Sequence, residues 1–122
     1  MSTTAVRSGK TVLKFAILTY PEHSERWGDS WIARSVLTAD IAEGITEEDA
    51  IESLRRGIET ALFVAGRYGM SPQEWYDTLD ADEPKYLAAF CRLVPGGTRT
   101  RVFDVEHGAC RIEASIVTGA AP

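Results

Sequence analysis

The sequence predicts an α+β fold, in which an antiparallel sheet carries an amphipathic main helix and two shorter helices, mostly on one face. Two observations support this: apolar residues recur at helical spacing over residues 46–66 and alternate at strand spacing on both sides of that stretch. A chain of 122 residues is long enough for one domain with a core. We expect residues 1–10 to form a flexible lead-in, residues 11–118 the single domain, and residues 119–122 a loose tail.

The main helix has clear start and stop signals. Thr46 is a good N-cap, the acids at residues 47–49 meet the positive end of the helix dipole, and Gly66 is a natural stop. Gly57 is unfavourable inside a helix and predicts a close approach to a strand. One apolar stripe is expected to face the sheet: Ile51, Leu54, Ile58, Ala61, Leu62 and Ala65.

Three strands are predicted before this helix. Residues 11–20 alternate and are rich in β-branched and aromatic types, and Pro21 is expected to end the strand. The polar, turn-forming residues 21–29 predict an exposed loop. A second strand over residues 31–37 and a short third strand over residues 39–43 complete a meander.

Two shorter helices are predicted after the main helix. Ser71 and Glu74 have the spacing of a capping box, which predicts a helix from Ser71 to about Leu79. Residues 85–94 predict a second helix with an apolar face, ended by the Pro-Gly-Gly that follows.

The remaining residues predict a terminal hairpin. Residues 99–107 and 110–116 alternate in polarity, and a tight turn is expected at His107–Gly108. Arg99 and Arg101 on this hairpin favour a charged sheet edge that resists edge-to-edge pairing, over a basic binding patch.

The sequence contains no recognisable catalytic or cofactor-binding motif. It lacks a glycine-rich phosphate loop and a nucleophile elbow, and its two cysteines and two histidines are isolated. We therefore predict no enzyme activity, no catalytic residues, no metal and no cofactor. A small hydrolase or ligand-binding domain stays open, because a site assembled in space is not visible in one sequence.

Composition limits the partners and the location. A net charge of −5 argues against a protein that binds nucleic acid directly. No stretch is apolar enough to span a membrane, and the first ten residues lack the apolar core of a signal peptide. A cytoplasmic location is expected.

The first half of the chain resembles the N-terminal domain of HicB-type antitoxins. The resemblance covers residues 12–62: the strands VLKFAILTY and SWIARSVL, and the turn into the helix, ADIAEGITEEDAIESLRRGIETAL. Within it, the residues that match the family pattern are Gly44, Thr46, Glu47, Glu48 and Ala50.

This resemblance implies two or three antiparallel strands followed by an amphipathic helix, and a role in binding and masking a small partner protein. Family members usually continue into a DNA-binding part, whereas here the terminal hairpin and two acidic helices follow. An alternative function is a structural or assembly subunit, for example of a phage-type complex, that uses its sheet edge and hairpin.

The candidate partner-binding residues are acidic or aromatic. The two acidic stretches are either solvated helix faces or a surface that suits a small, basic partner. The tryptophan in a polar loop either packs within that loop or is an exposed anchor for a partner. The candidates are Glu47, Glu48, Asp77, Asp80, Asp82 and Trp27.

A homo-oligomer is also predicted. The strand at residues 31–37 has large apolar residues on both faces, Trp31 and Leu37 on one and Ile32 and Val36 on the other. One layer of helices covers one face, so the other face needs a partner.

Overall fold

A computed structural model describes residues 11–105 and 110–122. The predicted lead-in and the turn at His107–Gly108 lie outside these residues. The described elements follow one another as β1 (Thr11–Ser24), β2 (Gly28–Ser35), β3 (Asp40–Gly44), α1 (Glu47–Arg67), α2 (Pro72–Asp77), α3 (Pro84–Leu93), β4 (Arg99–Val105) and β5 (Cys110–Thr118). The predicted α+β class is confirmed.

The five strands form one mixed sheet in the order β3-β2-β1-β5-β4. The meander and the terminal hairpin pair antiparallel, as predicted. The prediction of a wholly antiparallel sheet was wrong, because β1 and β5 pair in parallel from Thr11 with Cys110 to Thr19 with Thr118. A parallel pair needs a long connection, and the three helices supply it.

Strand β1 does not end at Pro21, and the predicted loop at residues 21–29 is a hairpin. Pro21 pairs with Trp31, and pairing continues to Ser24 with Gly28. Proline is tolerated here because β1 has lost its β5 neighbour after Thr19 and has a strand on one side only.

Helix α1 covers the first face of the sheet. Thr46 caps it, accepting a 3.1 Å hydrogen bond from the backbone N–H of Asp49. The predicted stripe lies in the core with Leu13, Phe15 and Ile17 of β1. A side chain placed at Gly57 would meet no atom within 4 Å, so the close approach predicted there was wrong. That approach occurs at Gly44 instead, where a Cβ would lie 2.3 Å from the backbone nitrogen of Ala50.

Helix α2 extends the same layer. Ser71 and Glu74 form the predicted capping box. Trp75 is buried, and the Tyr76 hydroxyl donates a 2.6 Å hydrogen bond to the carbonyl oxygen of Lys14. The rings of Tyr76 and Phe15 meet edge to face at 5.5 Å between centroids.

Helix α3 lies on the opposite face. Its buried residues Ala89 and Phe90 pack with a second apolar cluster that includes Leu18, Ile32 and Val36. The face that was expected to need a second chain is therefore covered from within at Ile32 and Val36. This argument for a homo-oligomer therefore no longer applies, and the homo-oligomer itself stays a prediction.

Candidate functional site

The β1–β2 hairpin extends beyond the elements that pack on it. Thr19 is the last residue of β1 to pair with β5, and its hydroxyl also bonds Glu47, the first residue of α1. Residues 22–30 follow this point and lie beyond the residues that pair with β3 or β5. We call residues 22–30 the projecting hairpin.

A groove lies where the projecting hairpin meets the link between β3 and α1. It is open to solvent and has a volume of about 460 Å³. We call it the hairpin groove, and the residues that line it are Pro21, Glu22, His23, Asp29, Ser30, Trp31 and Ile45. It combines an aromatic and two aliphatic residues with two carboxylates.

The polar part of the groove is acidic. His23 Nδ1 and Asp29 Oδ1 are 2.6 Å apart, and both side chains are largely exposed. The lining contains no lysine or arginine. Glu22 pairs with Ser30 across the hairpin, so its side chain points to the face opposite to His23 and Asp29. The acidic group on the face of His23 is therefore Asp29, which already pairs with that histidine.

Two large apolar side chains are exposed beside this groove. Trp27, at the turn of the hairpin, is 78% exposed, and the guanidinium of Arg26 lies 4.9 Å from its ring centroid. Ile45 is 85% exposed. It stands one residue before the N-cap, where an apolar residue often packs against the helix, yet it faces solvent instead. Both side chains are available to a partner.

Glu47 is held inside the chain. One of its carboxylate oxygens accepts hydrogen bonds from the hydroxyls of Thr19 and Thr118 and from Arg99 of β4, at 2.5, 2.5 and 2.7 Å. Burial raises the pKa of Glu47, but these three hydrogen bonds outweigh it, so the pKa lies below its ordinary value. The carboxylate ties α1 to strands β1, β5 and β4.

Glu48 is also engaged within the chain, since it accepts a hydrogen bond from Arg101 that lowers its pKa. Arg99 and Arg101, predicted to protect a sheet edge, lie on β4, the outer strand, and pair with these two acids of α1. The acidic start of α1 and the basic edge strand therefore neutralise each other.

Asp82 lies on the other face and forms a buried ion pair. Arg34 donates to both of its carboxylate oxygens, at 2.8 and 3.2 Å, and the two side chains are 12% and 7% exposed. This hydrogen bonding holds the pKa of Asp82 below its ordinary value despite burial. The Arg34 guanidinium also lies 3.5 Å from the ring centroid of Tyr86 on α3.

Asp77, the last residue of α2, and Asp80 just after it are both exposed, and Asp77 accepts a 2.8 Å hydrogen bond from Gln73. The five candidate acids therefore do not form one cluster. The structure separates them into the α1 start, the end of α2 and the buried pair under α3. Trp27 lies apart from all of them, at the hairpin turn.

Sequence reasoning missed the hairpin groove. The signal was weak, since it consisted of one apolar residue, Ile45, between the β3 turn and the helix cap. The pairing of Pro21 with Trp31 is what brings His23 opposite Asp29. A proline interpreted as a strand end concealed that register.

The groove does not supply a catalytic triad. His23 and Asp29 have the pairing of a base with its orienting acid, but no hydrogen bond joins Ser30 to His23. Consecutive residues of a strand point to opposite faces, which sets Ser30 apart from Asp29. Across residues 11–105 and 110–122, no three His, Cys, Asp or Glu side chains are placed to hold a metal ion.

None of the helices in the described ranges has the length and apolar content to cross a membrane. Comparison with known proteins gives no match: no family model, no curated protein and no solved structure is similar to this chain.

Proposed function

We propose that this chain is a non-enzymatic, HicB-like protein-binding domain of the cytoplasm, which binds and masks a small, basic partner protein. The observation that carries the proposal is the exposed Trp27 on the projecting hairpin. Tryptophan is enriched among residues that dominate binding energy. The exposed side chain contributes little to the core of this chain, so we assign it to contact with a partner.

The acidic residues support a basic partner in two different ways. Asp77 and Asp80 are exposed and free to attract a cationic surface from a distance. Glu47, Glu48 and Asp82 already pair with arginines of this chain. We assign the direct contact to the projecting hairpin and the steering to the exposed acids.

The test is affinity purification from the native host, followed by mass spectrometry and direct binding measurements with the recovered protein. Trp27→Ser is expected to weaken that binding about thirtyfold, which corresponds to about 2 kcal/mol, the size of effect typical of a central aromatic anchor. Tyr68→Ser is the control, because Tyr68 is 84% exposed after the end of α1. Equal binding by wild type, Trp27→Ser and Tyr68→Ser would remove the proposal.

The steering is tested with the same partner. Neutralising Asp77 and Asp80 to asparagine is expected to slow association several-fold at low salt and to have little effect at high salt. An unchanged rate at low salt would mean that these carboxylates are only solvated.

A second candidate is a structural or assembly subunit that joins a larger complex through its sheet edges. It is favoured by Ile41, which is 53% exposed on the outer strand β3. A short basic reading frame beside this gene favours the masking function, and a block of structural genes favours assembly.

We also propose a homo-oligomer, which forms through the outer side of α1. Phe63 and Val64 are exposed apolar side chains near the end of that helix. Light scattering over a wide concentration range tests this: a constant mass near 13.4 kDa would remove the oligomer.

A further inference from the structure

We propose that two copies of this chain form a two-fold dimer, in which their α1 helices pack antiparallel and cross beside Thr60. Val64 of each chain lies against the partner's Gly57, and Phe63 lies against the partner's Arg56. This inference rests on the homo-oligomer proposed above and gives its interface one specific arrangement.

The outer face of α1 combines a glycine with exposed apolar side chains. A Cβ at Gly57 would meet no atom within 4 Å, although glycine is unfavourable inside a helix. Phe63 and Val64 are 55% and 46% exposed. Residues 53, 57, 60 and 64 recur at helical spacing and share this face. A second helix can therefore approach closely at Gly57 and bury the apolar side chains beside it.

The spacing along the helix makes this face complementary to itself. Gly57 lies three residues before Thr60 and Val64 lies four after it, whereas Arg56 lies four before and Phe63 three after. At the helical rise, an antiparallel copy brings Val64 level with the partner's Gly57, to within about 1.5 Å along the axis. The same symmetry brings Phe63 level with the partner's Arg56, whose guanidinium can stack on the ring.

The charges favour the antiparallel arrangement. Asp49 in the first turn of α1 and Arg67 in the last turn are both exposed and lie along this face. In an antiparallel pair, Arg67 comes within one turn of the partner's Asp49 at each end of the interface. A parallel pair would instead place like charges together and align the two helix dipoles. A second, antiparallel copy is therefore the partner that this face fits.

The size of the contact indicates a weak dimer. Helix α1 has 21 residues and is about 31 Å long. A single pair of such helices buries less surface than the standard stable interface, which is about 1,600 Å². We therefore expect a dissociation constant in the micromolar range, so that the mass measured by light scattering rises with concentration.

Disulfide cross-linking of the full chain tests the arrangement. All variants carry Cys91→Ser, because Cys91 is an exposed free cysteine, and they retain the buried Cys110. Thr60→Cys places a thiol beside the two-fold axis, so mild oxidation is expected to produce covalent dimers. Failure of Thr60→Cys to form them would overturn the proposal.

Ser53→Cys is the matched control on the same face of α1. Residue 53 lies seven positions from the axis, so an antiparallel dimer places its two thiols about 21 Å apart, too far for a disulfide. We therefore expect no covalent dimer. Cross-linking of Ser53→Cys as efficient as that of Thr60→Cys would indicate a parallel pair or random collision, and would overturn the proposal.

A larger side chain at Gly57 separates dimerisation from folding. Gly57→Gln fills the space that the partner's Val64 needs and is expected to raise the dissociation constant about tenfold. At a concentration where both proteins are monomers, its resistance to urea should equal or exceed that of wild type, because glutamine favours a helix more than glycine does and meets no atom here. If Gly57→Gln dimerises as wild type does, no second helix approaches at Gly57 and the proposal fails.

Two valines provide a second matched pair. Val64 on α1 and Val102 on β4 are 46% and 52% exposed, so both variants to serine should fold. Only Val64→Ser is expected to weaken the dimer. If Val102→Ser weakens it as much, the contact is not through α1.

The outcomes separate this inference from the proposals on which it rests. A constant monomer mass would remove the homo-oligomer and this dimer together. A mass that rises with concentration, without cross-linking of Thr60→Cys, would keep the homo-oligomer and overturn the antiparallel arrangement. Binding of the protein recovered from the host is measured separately through Trp27→Ser, so its loss would leave the dimer standing.

Discussion

Under α1 and α2 the sheet packs apolar side chains almost throughout, whereas under α3 a buried guanidinium is part of the packing. The first face joins Leu13, Phe15 and Ile17 to the stripe of α1. The second joins a smaller apolar cluster to Arg34, which bonds Asp82 at the entry to α3. The first layer is stabilised mainly by the burial of apolar surface. The second layer also depends on the position of the Arg34 charge relative to Asp82. The two layers should therefore respond differently to truncation.

The largest expected effect is on the apolar face. Leu54→Ala is expected to lower the free energy of unfolding by about 2–5 kcal/mol, because Leu54 is 2% exposed and truncation leaves a cavity. Val64→Ala, on the exposed side of the same helix, is the control. Urea unfolding measures both. If the free energy of unfolding of Leu54→Ala equalled that of wild type, this face would not be packed as described.

On the other face, Asp82→Ala is expected to cost about 3 kcal/mol, because it leaves the Arg34 charge buried without its partner. The double change Arg34→Met with Asp82→Ala should cost less than Asp82→Ala alone, since no unpaired charge remains. Urea unfolding of both variants gives the comparison. If the double variant is the less stable one, the face is held by the pair itself and not by avoiding an unpaired charge.

Acid acts on a carboxylate of each face. The pKa of Asp82 is lowered by Arg34, and that of Glu47 is lowered by its hydrogen bonds despite burial. A carboxyl group with a lowered folded-state pKa stabilises fully above its unfolded pKa, about 4, and loses this contribution as pH falls through the folded value. We expect stability to decrease below about pH 4, and less steeply in the double Arg34→Met, Asp82→Ala variant. Urea midpoints between pH 7 and pH 3 test this, and identical slopes would contradict it.

The cap of α2 tests how much this helix contributes to the stability of the first layer. Ser71→Ala removes the hydroxyl that accepts from the backbone N–H of Glu74 and is expected to cost about 1 kcal/mol. Ser71→Asp, which keeps an acceptor, is the matched control. Thermal unfolding is expected to show a lower melting temperature for Ser71→Ala and an unchanged one for Ser71→Asp. Equal melting temperatures for the two variants would mean that α2 adds little to the stability of this layer.

The smallest expected effect is on the projecting hairpin. Trp27→Ser should change the free energy of unfolding by no more than about 0.5 kcal/mol, because the side chain is largely exposed. A chemical denaturation curve that overlays wild type checks this. A larger loss would place Trp27 in the packing of the hairpin and weaken its use as a partner anchor.

The two faces were also unequally predictable from the sequence. Local signals were sufficient for the first: the periodicity of α1, the Thr46 cap and the Ser71–Glu74 box all act within a few residues. The second face depends on Arg34 meeting Asp82, 48 positions later, and no local pattern encodes that pair.

The same limit applies to the candidate site. Trp27 stood out as a large aromatic residue among polar ones, and it is exposed. The hairpin groove needed the register of Pro21 with Trp31 and the position of Ile45, which come from strand pairing and from a link far along the chain. The acids were identified as charges, but the sequence did not reveal which of them would meet Arg99, Arg101 or Arg34.

The parallel pairing of β1 with β5 also has a consequence for the rate of folding. Thr19 and Thr118 pair as neighbouring strand residues across 99 positions of sequence, at the centre of the sheet. The β1–β3 meander and α1 can form from neighbouring residues, but the inner edge of β1 stays unpaired until this long loop closes. Closing it costs chain entropy before its contacts are gained, and such topologies fold slowly. Until then, β1 presents an unpaired apolar edge to other chains, so refolding yield should fall as protein concentration rises.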